Sequence, residues 1–230
     1  MTPPGIRCET IAEDALLLRF GERIDAAVSA KVLAAAARLR QALPQLECVP
    51  AYASLLLRFD PAAWHGHEQV QAAVHAALEA TDAADIAPRL VEIPVCYGGD
   101  FGPDLDALAA HAGLDAAATI ALHVTGDYRV AMLGFAPGFP YLLGLDERLA
   151  MPRRADPRQR VPTGSVAIGG NQTGIYPTEL PGGWHLMGRT PLRLFDANAA
   201  SPALLQAGDR VRFRAIDADT FHRLAGNAPA

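Results

Sequence analysis

The sequence predicts an α+β domain of ferredoxin-like type over residues 1–87, followed by a mainly-β barrel domain over residues 88–230. The first part contains two successive strand–strand–helix patterns, which suit an antiparallel sheet with both helices on one side. The second part contains short apolar runs separated by turn residues, which suit the strands of a barrel. Between residues 134 and 191 lie ten of the twenty glycines and eight of the eighteen prolines, so this barrel is expected to have long, shaped loops.

The elements of the first domain follow from residue spacing. Short β-type runs at 6–11 and 15–20 predict two strands joined by a turn. Apolar residues at helical spacing predict a helix over 25–43, with Asp25 as its N-cap and Pro44 as its stop signal. The same criteria predict, in chain order, strands over 46–50 and 53–59, a second helix over 61–80 and a linker over 81–88.

The second domain begins with mixed elements and then becomes rich in turns. Its predicted elements are a strand over 90–95, helices over 103–112 and 115–124, and strands over 128–133, 165–168, 184–187, 192–195 and 210–214. The aromatic and branched side chains between the glycines and prolines favour an ordered barrel over a disordered segment.

Composition and charge exclude several classes of protein. Half of the residues are apolar and 20% are charged, as in ordinary globular proteins. The net charge of -5 argues against a nucleic-acid-binding protein. The N-terminal residues carry charges and no apolar run reaches the roughly 20 residues that span a bilayer, so we expect a cytoplasmic protein without membrane contact. The three cysteines form no CxxC pair and are expected to be reduced core thiols.

Lysine occurs once, at Lys31, whereas arginine occurs nineteen times. Lys31 falls inside a predicted helix, so the glycine-rich phosphate loop that ends in Lys and Ser or Thr is absent from the sequence. An anion site in this protein must therefore use arginine side chains, backbone N–H groups or helix N-termini.

Three long sequence motifs follow one another in the glycine- and proline-rich region. The blocks are 134–141, 152–168 and 172–191, with shorter matching runs at 49–56 and 94–105. With these motifs the chain resembles, over nearly its whole length, the family of KipI and the B subunit of 5-oxoprolinase (PxpB), also called allophanate hydrolase subunit 1. It departs from the family pattern at Thr163, Leu180 and His185. These differences bear on the fine substrate preference of the protein and not on whether it belongs to the family.

The resemblance implies a cyclophilin-like β-barrel for the second domain and a smaller α+β first domain. It also implies a component of the ATP-dependent hydrolase 5-oxoprolinase, which opens the cyclic amide 5-oxo-L-proline to L-glutamate. Such a component is not catalytic alone, and its implied partners are the homologous C subunit and the hydrolytic A subunit. The implied cofactor is ATP with magnesium, in a nucleotide-binding site shared with the partner.

Arginines concentrate between residues 148 and 160, and Pro152, Pro157 and Pro162 stiffen the chain there and just after it. A guanidinium group binds two oxygens of a carboxylate or phosphate at once, so Arg153, Arg154 and Arg158 are candidates for contact with an anion or a partner. The alternative is a solvated, salt-bridged surface loop. Arg189, beside a predicted strand, is the preferred ligand for a substrate carboxylate or phosphate and a catalytic candidate, with an ion pair to a core acid as its alternative.

A polar group and several rings complete the candidate site. Gln172 offers an amide, Thr173 a hydroxyl and Gly174 close backbone approach, which suits a small polar substrate, and a tight turn is the alternative. Aromatic side chains are expected to line a groove beside them, although each one alone is more typical of a core. The substrate-binding candidates of this kind are Phe135, Phe139, Tyr176 and Trp184, with Tyr141 in the same groove.

His123, at the end of a predicted helix, is the candidate for proton transfer. A buried histidine with satisfied hydrogen bonds is the alternative. The sequence contains no HExxH, no GxSxG and no Cys/His metal spacing, so we expect neither a resident metal nor serine chemistry at Ser165. The absence of a self-sufficient catalytic motif favours a site shared with partner chains.

Two other functions are compatible with these residues. One is a KipI-like inhibitor that docks on a sensor histidine kinase, since Tyr, Trp and Arg on a rigid loop suit a protein interface. The other is a component of a urea- or allophanate-type carboxyltransferase, for which only one of the two expected halves is present. The sequence therefore favours the B subunit of 5-oxoprolinase first and these two alternatives after it.

Overall fold

A computed structural model describes residues 6–79 and 88–226 of the 230-residue chain. The chain divides into two compact units, Met1–Ala87 and Pro88–Ala230. Each unit has a hydrophobic core of its own. The predicted linker over 81–88 lies outside the described residues, apart from Pro88.

The first unit consists of a four-stranded antiparallel sheet and two helices. Its elements are β1 (Arg7–Ala12), β2 (Ala15–Arg19), α1 (Ala26–Ala42), β3 (Glu47–Pro50), β4 (Ser54–Arg58) and α2 (His67–Glu79). The strands lie in the order β1-β2-β4-β3. The predicted strands and the first helix are confirmed, including the cap, in which the Val28 N–H donates to the Asp25 side chain.

One face of this sheet carries the core of the first unit. Successive side chains of a strand point to opposite faces, and Leu18 of β2 and its partner Leu55 of β4 are both fully buried on the same face. Both helices contribute to this one core, α1 through Val32 and α2 through Val74. The two helices therefore pack on the same face of the sheet.

Two features of the first unit depart from the prediction. The order of elements is ββαββα, whereas the ferredoxin-like motif runs βαββαβ. The ferredoxin-like assignment therefore stays a prediction. The second helix begins at His67 rather than at residue 61, because Asp60 holds a turn in which its side chain accepts from Ala62 N–H and its carbonyl from Ala63 N–H.

The second unit is built around a closed β-barrel. Its elements are β5 (Leu90–Tyr97), α3 (Leu105–Ala112), α4 (Ala116–Val124), β6 (Tyr128–Leu133), β7 (Pro140–Leu143), β8 (Arg158–Val161), β9 (Ser165–Gly169), β10 (Gln172–Ile175), β11 (Leu180–Gly182), β12 (His185–Arg189), β13 (Arg210–Ile216) and α5 (Ala218–Gly226). The barrel order is β10-β7-β6-β13-β5-β12-β9, and β8 pairs with β11 separately. The predicted barrel is confirmed, and its cyclophilin-like type stays a prediction.

The barrel closes through a parallel pair of strands. β5 and β13 run parallel over seven residue pairs, from Leu90 with Arg210 to Cys96 with Ile216. On their other sides β13 pairs with β6, and β5 with β12, in antiparallel fashion. Inward side chains such as Phe213 fill the barrel and form its core.

Two short helices, α3 and α4, pack against the barrel. Gly113, with φ 67°, ends α3, and Asp115 caps α4 by accepting the Ala118 N–H. Contacts join α3 to β12 and α4 to β13. Within residues 6–79 and 88–226, no single helix is long and apolar enough to cross a membrane, and α3 and α4 meet that test only as a pair bent by 89°.

The prediction of short strands in the second unit was incomplete. Strands β7, β8, β10 and β11 have three or four residues each, too few for a periodicity to be recognised. The predicted strand over 192–195 is wrong, because only its last residue pairs with another segment, through an isolated antiparallel bridge between Phe195 and Ala203, and local bonds hold the residues before it. The Leu192 N–H donates to the Thr190 hydroxyl and the Arg193 side chain donates to the Phe195 carbonyl.

Candidate functional site

The hairpin loop between β6 and β7 holds an exposed aromatic residue in a strained turn. The Ala136 N–H donates to the Gly134 carbonyl at 2.8 Å across Phe135, whose φ is 69°, which is the rare positive-φ form of the γ-turn. The Phe139 N–H donates to the Ala136 carbonyl, with Gly138 at φ 80° in a type II turn. Phe135 is 62% exposed. Strain of this kind is concentrated at functional sites.

Five aromatic side chains form one cluster on the outer side of the barrel. This ring cluster consists of Phe135, Phe139, Tyr141, Tyr176 and Trp184. Phe139 lies at its centre, with ring centroids 5.5 Å from Phe135, 4.9 Å from Tyr141, 5.2 Å from Tyr176 and 5.7 Å from Trp184. Most pairs have the edge-to-face geometry that aromatic rings prefer. The structure thus brings together the rings that the sequence placed in one groove.

Two glycines make room for the rings against the barrel strands. A Cβ added to Gly174 of β10 would lie 3.1 Å from atoms of the Phe139 ring. A Cβ added to Gly169 of β9 would lie 2.5 Å from the indole of Trp184. Glycine at these positions therefore lets each ring lie against the backbone of the sheet.

Replacing Gly169 by alanine is expected to push the Trp184 ring off the sheet and to destabilise the second unit by about 1–3 kcal/mol, as overpacking does. The measurement is urea unfolding followed by Trp184 fluorescence in a Trp64→Phe background, which leaves one tryptophan. Gly226→Ala is the matched control, because a Cβ there meets no atom within 4 Å. Equal stability of the two alanine variants would contradict the close contact at Gly169.

Gln172 lies next to Trp184 on the outer face. In β10, Ile175 belongs to the barrel core, whereas the position of Gly174 faces Phe139 on the outer side. Because side chains alternate along a strand, Gln172 lies on the same outer face as Gly174. Gln172 pairs with Gly169 across the ladder, and side chains directly opposite each other lie about 5 Å apart. Gln172 therefore lies beside the place where the indole of Trp184 packs against Gly169.

Two of the three candidate arginines bind a buried carboxylate. Arg158 donates to both oxygens of Asp104 at 2.8 Å, and Arg154 donates to one of them at 3.4 Å. The Leu186 N–H donates to the same carboxylate at 2.7 Å. No local sequence pattern signals the pairing of Asp104 with these arginines, because 50 residues separate it from Arg154.

Asp104 is ionised despite its burial. Burial by itself raises the pKa of Asp104, but hydrogen bonds from Arg158 and Leu186 N–H, with the charges of Arg158 and Arg154, hold that pKa below 3.8. The carboxylate therefore balances the charge of its arginine partners, as the salt-bridged alternative describes. Contact of Arg154 and Arg158 with an external anion or a partner stays a prediction.

Arg153 lies at the rim of the ring cluster. Its guanidinium carbon is 5.8 Å from the centroid of the Trp184 ring, within the range of a cation–π interaction. Burial raises the pKa of Tyr141 and of Tyr176, and the charge of Arg153 opposes part of each rise. Arg153 is exposed, so it presents a positive charge beside an aromatic surface.

His123 and Thr173 lie together inside the barrel rather than in the ring cluster. The Thr173 hydroxyl donates to the Ala167 carbonyl, so its oxygen accepts from His123 Nε2 at 3.3 Å. The hydroxyl of Tyr97 then donates to His123 Nδ1 at 2.9 Å. Both ring nitrogens of this fully buried histidine are thereby satisfied.

The interior position decides the charge of His123. Burial lowers the pKa of His123 from 6.5 to about 3, because an imidazolium ion is poorly solvated there. The ring is neutral at neutral pH, which fits the alternative of a buried, hydrogen-bonded histidine. Proton transfer by His123 stays a prediction.

Arg189 lies at the end of β12, where its Nε donates to the Thr163 carbonyl at 2.7 Å. Its guanidinium carbon is 5.9 Å from the centroid of the Phe221 ring of α5. These contacts turn the guanidinium group toward α5 and do not bring it to the ring cluster. Its role as a carboxylate or phosphate ligand stays a prediction.

The described residues do not fit magnesium-bound ATP by themselves. Over 6–79 and 88–226, no three His, Cys, Asp or Glu side chains converge to hold a metal ion. Lys31 lies in α1, away from any glycine-rich phosphate loop. The arginine side chains of the second unit are the cations available to an anionic ligand there.

Comparison with known proteins identifies close relatives. The family model of the carboxyltransferase domain, subdomain C and D, matches residues 6–205. The 5-oxoprolinase B subunit of Bacillus subtilis is 44% identical over 226 residues, covering 93% of this chain and 94% of the relative. The 5-oxoprolinase B subunit of Escherichia coli is 42% identical over 210 residues, covering 90% and 94% of the two chains.

A solved structure shares both sequence and fold with this chain. The crystal structure of TTHA0988 is 40% identical and superimposes with a TM-score of 0.77. The match covers 88% of this chain but 40% of that chain. This chain therefore spans less than half of TTHA0988, in which the same fold is joined to additional sequence.

Proposed function

Because the chain belongs to the family of the carboxyltransferase domain, subdomain C and D, we propose that it acts as the B subunit of a 5-oxoprolinase. The observation that carries the proposal is its identity of 44% and 42%, over at least nine-tenths of each chain, to two proteins of that name. The proposed reaction is hydrolysis of the cyclic amide 5-oxo-L-proline to L-glutamate, coupled to the use of ATP.

The chemistry of the substrate supports a role shared between chains. A lactam carbonyl is a poor electrophile, and transfer of a phosphoryl group to its oxygen activates the carbon for attack by water. Such a transfer requires cations around the phosphoryl group and close positioning of the reactants. The described residues of this chain offer arginines and an aromatic surface but no carboxylate set for magnesium, which favours a nucleotide site completed by a partner.

The proposed partners are the homologous C subunit and the hydrolytic A subunit. Similarity to proteins that are named as one part of an enzyme supports assembly with other chains. TTHA0988 supports it as well, because this chain covers 40% of that chain and the matching fold is fused there to further sequence. We expect a heteromeric enzyme in which this chain has no turnover alone.

The proposal predicts that ADP release dependent on 5-oxo-L-proline requires this chain together with its cognate A and C subunits. Purified components are mixed, each is omitted in turn, and ADP is measured by a coupled assay. Full activity without this chain, or turnover by this chain alone, would contradict the proposal. Inhibition of a histidine kinase in the absence of any 5-oxoprolinase activity would favour the KipI-like alternative.

A further inference from the structure

We propose that Arg153 and Gln172, on either side of the Trp184 indole, form a binding site for a small carboxylate that carries an amide. The inference rests on the proposed function to the extent that 5-oxo-L-proline has this chemistry. It assigns the substrate carboxylate to Arg153 instead of Arg189. Three features carry it: an amide without a hydrogen-bond partner in the described residues, an arginine without a counter-charge, and a fixed backbone on both sides of that arginine.

The first feature is the amide of Gln172. The residue is 8% exposed, and no hydrogen bond joins its side-chain amide to residues 6–79 and 88–226. The amide atoms are not among the fully buried atoms that lack a partner, so they are accessible from solvent. An accessible amide can exchange its hydrogen bonds to water for hydrogen bonds to a ligand. A glutamine amide carries one acceptor and two donors, which can pair with the N–H and the carbonyl of a lactam.

The second feature is the charge of Arg153. Arg154 and Arg158 share the carboxylate of Asp104, whereas in the part of the chain that the structure describes no carboxylate forms an ion pair with Arg153. Its guanidinium group lies over the Trp184 ring instead. A guanidinium group binds a carboxylate through two parallel N–H donors. Arg153 therefore remains able to bind a carboxylate, whereas its two neighbours are already paired with one.

The third feature is the backbone around Arg153. His185 Nε2 donates to the Pro152 carbonyl at 2.8 Å, and the Arg154 N–H donates to the Gly183 carbonyl at 2.7 Å. Both peptide groups that flank Arg153 are therefore held in place. Preorganisation of this kind lowers the entropy that binding must overcome, because the backbone that carries Arg153 needs no ordering when a ligand binds.

These features specify the ligand by its chemistry. Gln172 and the guanidinium group of Arg153 both lie beside Trp184: Gln172 is paired with Gly169, against which the indole packs, and Arg153 lies over the ring. A ligand that engages both side chains carries a carboxylate for Arg153 and an amide for Gln172. 5-Oxo-L-proline meets this requirement, with its carboxylate toward Arg153 and its lactam toward Gln172.

The test is titration of the full chain with 5-oxo-L-proline, alone and mixed with its cognate A and C subunits. Binding is followed by NMR through the indole N–H signal of Trp184, which Trp64→Phe distinguishes from the signal of Trp64. We expect a saturable shift at Trp184 and none at Trp64. Two probes that lack one group, 2-pyrrolidinone without a carboxylate and L-proline without the amide, are expected to bind about ten-fold more weakly. Absence of a saturable Trp184 shift in both preparations would overturn the site.

Variants separate the two contacts. Arg153→Gln is expected to weaken binding of 5-oxo-L-proline by about ten-fold and to leave 2-pyrrolidinone binding unchanged, whereas Gln172→Leu weakens the binding of both lactams. Arg160→Gln is the matched control, because that arginine is 83% exposed and lies 3.7 Å from Glu179. Wild-type affinity of Arg153→Gln for 5-oxo-L-proline would overturn the assignment.

The site and the proposed function fail in different ways. An active three-component mixture in which Arg153→Gln leaves KM for 5-oxo-L-proline unchanged would remove the site and keep the function. A saturable, Arg153-dependent shift at Trp184 in a chain whose mixtures release no ADP would keep the site and remove the function.

Discussion

Replacing Asp104 by asparagine is expected to lower the free energy of unfolding of the second unit by about 3 kcal/mol. The carboxylate accepts two hydrogen bonds from Arg158, one from Arg154 and one from the Leu186 N–H. Asparagine keeps the shape but leaves two partly buried guanidinium groups without a counter-charge. It also turns one accepting oxygen into an N–H donor that faces other donors.

A matched control distinguishes this effect from the loss of an ordinary surface ion pair. Asp146→Asn removes the partner of Arg148, a pair 2.9 Å apart in which the arginine is 61% exposed, and is expected to cost less than about 1 kcal/mol. Unfolding is measured by urea titration with Trp184 as the fluorophore. Losses of the same size at Asp104 and Asp146 would contradict the central position of Asp104.

The same carboxylate has a positioning effect on the proposed site. Asp104 holds Arg154, and the peptide group of Arg154 is one of the two that fix the backbone of Arg153. Asp104→Asn is therefore also expected to weaken ligand binding, although Asp104 does not touch the ligand. Addition of Arg158→Gln to Asp104→Asn removes one unbalanced charge and is expected to recover part of the lost stability.

Acid is expected to destabilise the second unit through His123. Its pKa is about 3 in the folded protein and 6.5 as the ordinary value, so between these pH values the unfolded chain binds the additional proton. Stability is therefore complete above pH 6.5 and declines as the pH falls toward 3. The slope is about 1.4 kcal/mol per pH unit, which amounts to about 5 kcal/mol over the whole interval.

His123→Gln is expected to flatten this pH dependence, because glutamine does not titrate. The variant is also less stable at neutral pH, since an amide fills the space of the imidazole ring poorly. His65→Gln, at an exposed position of the first unit, serves as the control and should retain the wild-type slope. If the unfolding free energy of His123→Gln fell as steeply with acid as that of the wild type, His123 would not be the titrating group.

Local sequence patterns determined most of the helices and strands, and they also anticipated the ring cluster. Proline and glycine at 137 and 138 predict a turn, and that turn returns the chain so that Phe139 meets Phe135 at 5.5 Å. The cap at Asp25 was likewise recognisable, because its partner Val28 lies three residues away. Interactions of this range leave a signature in the sequence.

Interactions across long separations left no such signature. The pairing of Asp104 with Arg158 spans 54 residues, so the sequence could not tell which arginine of the loop keeps an unbalanced charge. Helix periodicity located His123 correctly in α4, but it did not show that the ring enters the barrel next to Thr173. For the same reason the sequence did not single out Arg153, whose place over the Trp184 ring depends on tertiary contacts.

The parallel pairing of β5 with β13 constrains the order in which the chain folds during synthesis. The last described helix of the first unit ends at Glu79, so that unit is complete when the barrel has only begun to be made. The barrel cannot close until the segment Arg210–Ile216 has left the ribosome, about 120 residues after its partner strand. During that interval the edges of β5 and β6 remain unpaired, and such edges are open to wrong association. The second unit is thus the part of the nascent chain that stays exposed to wrong association for longer.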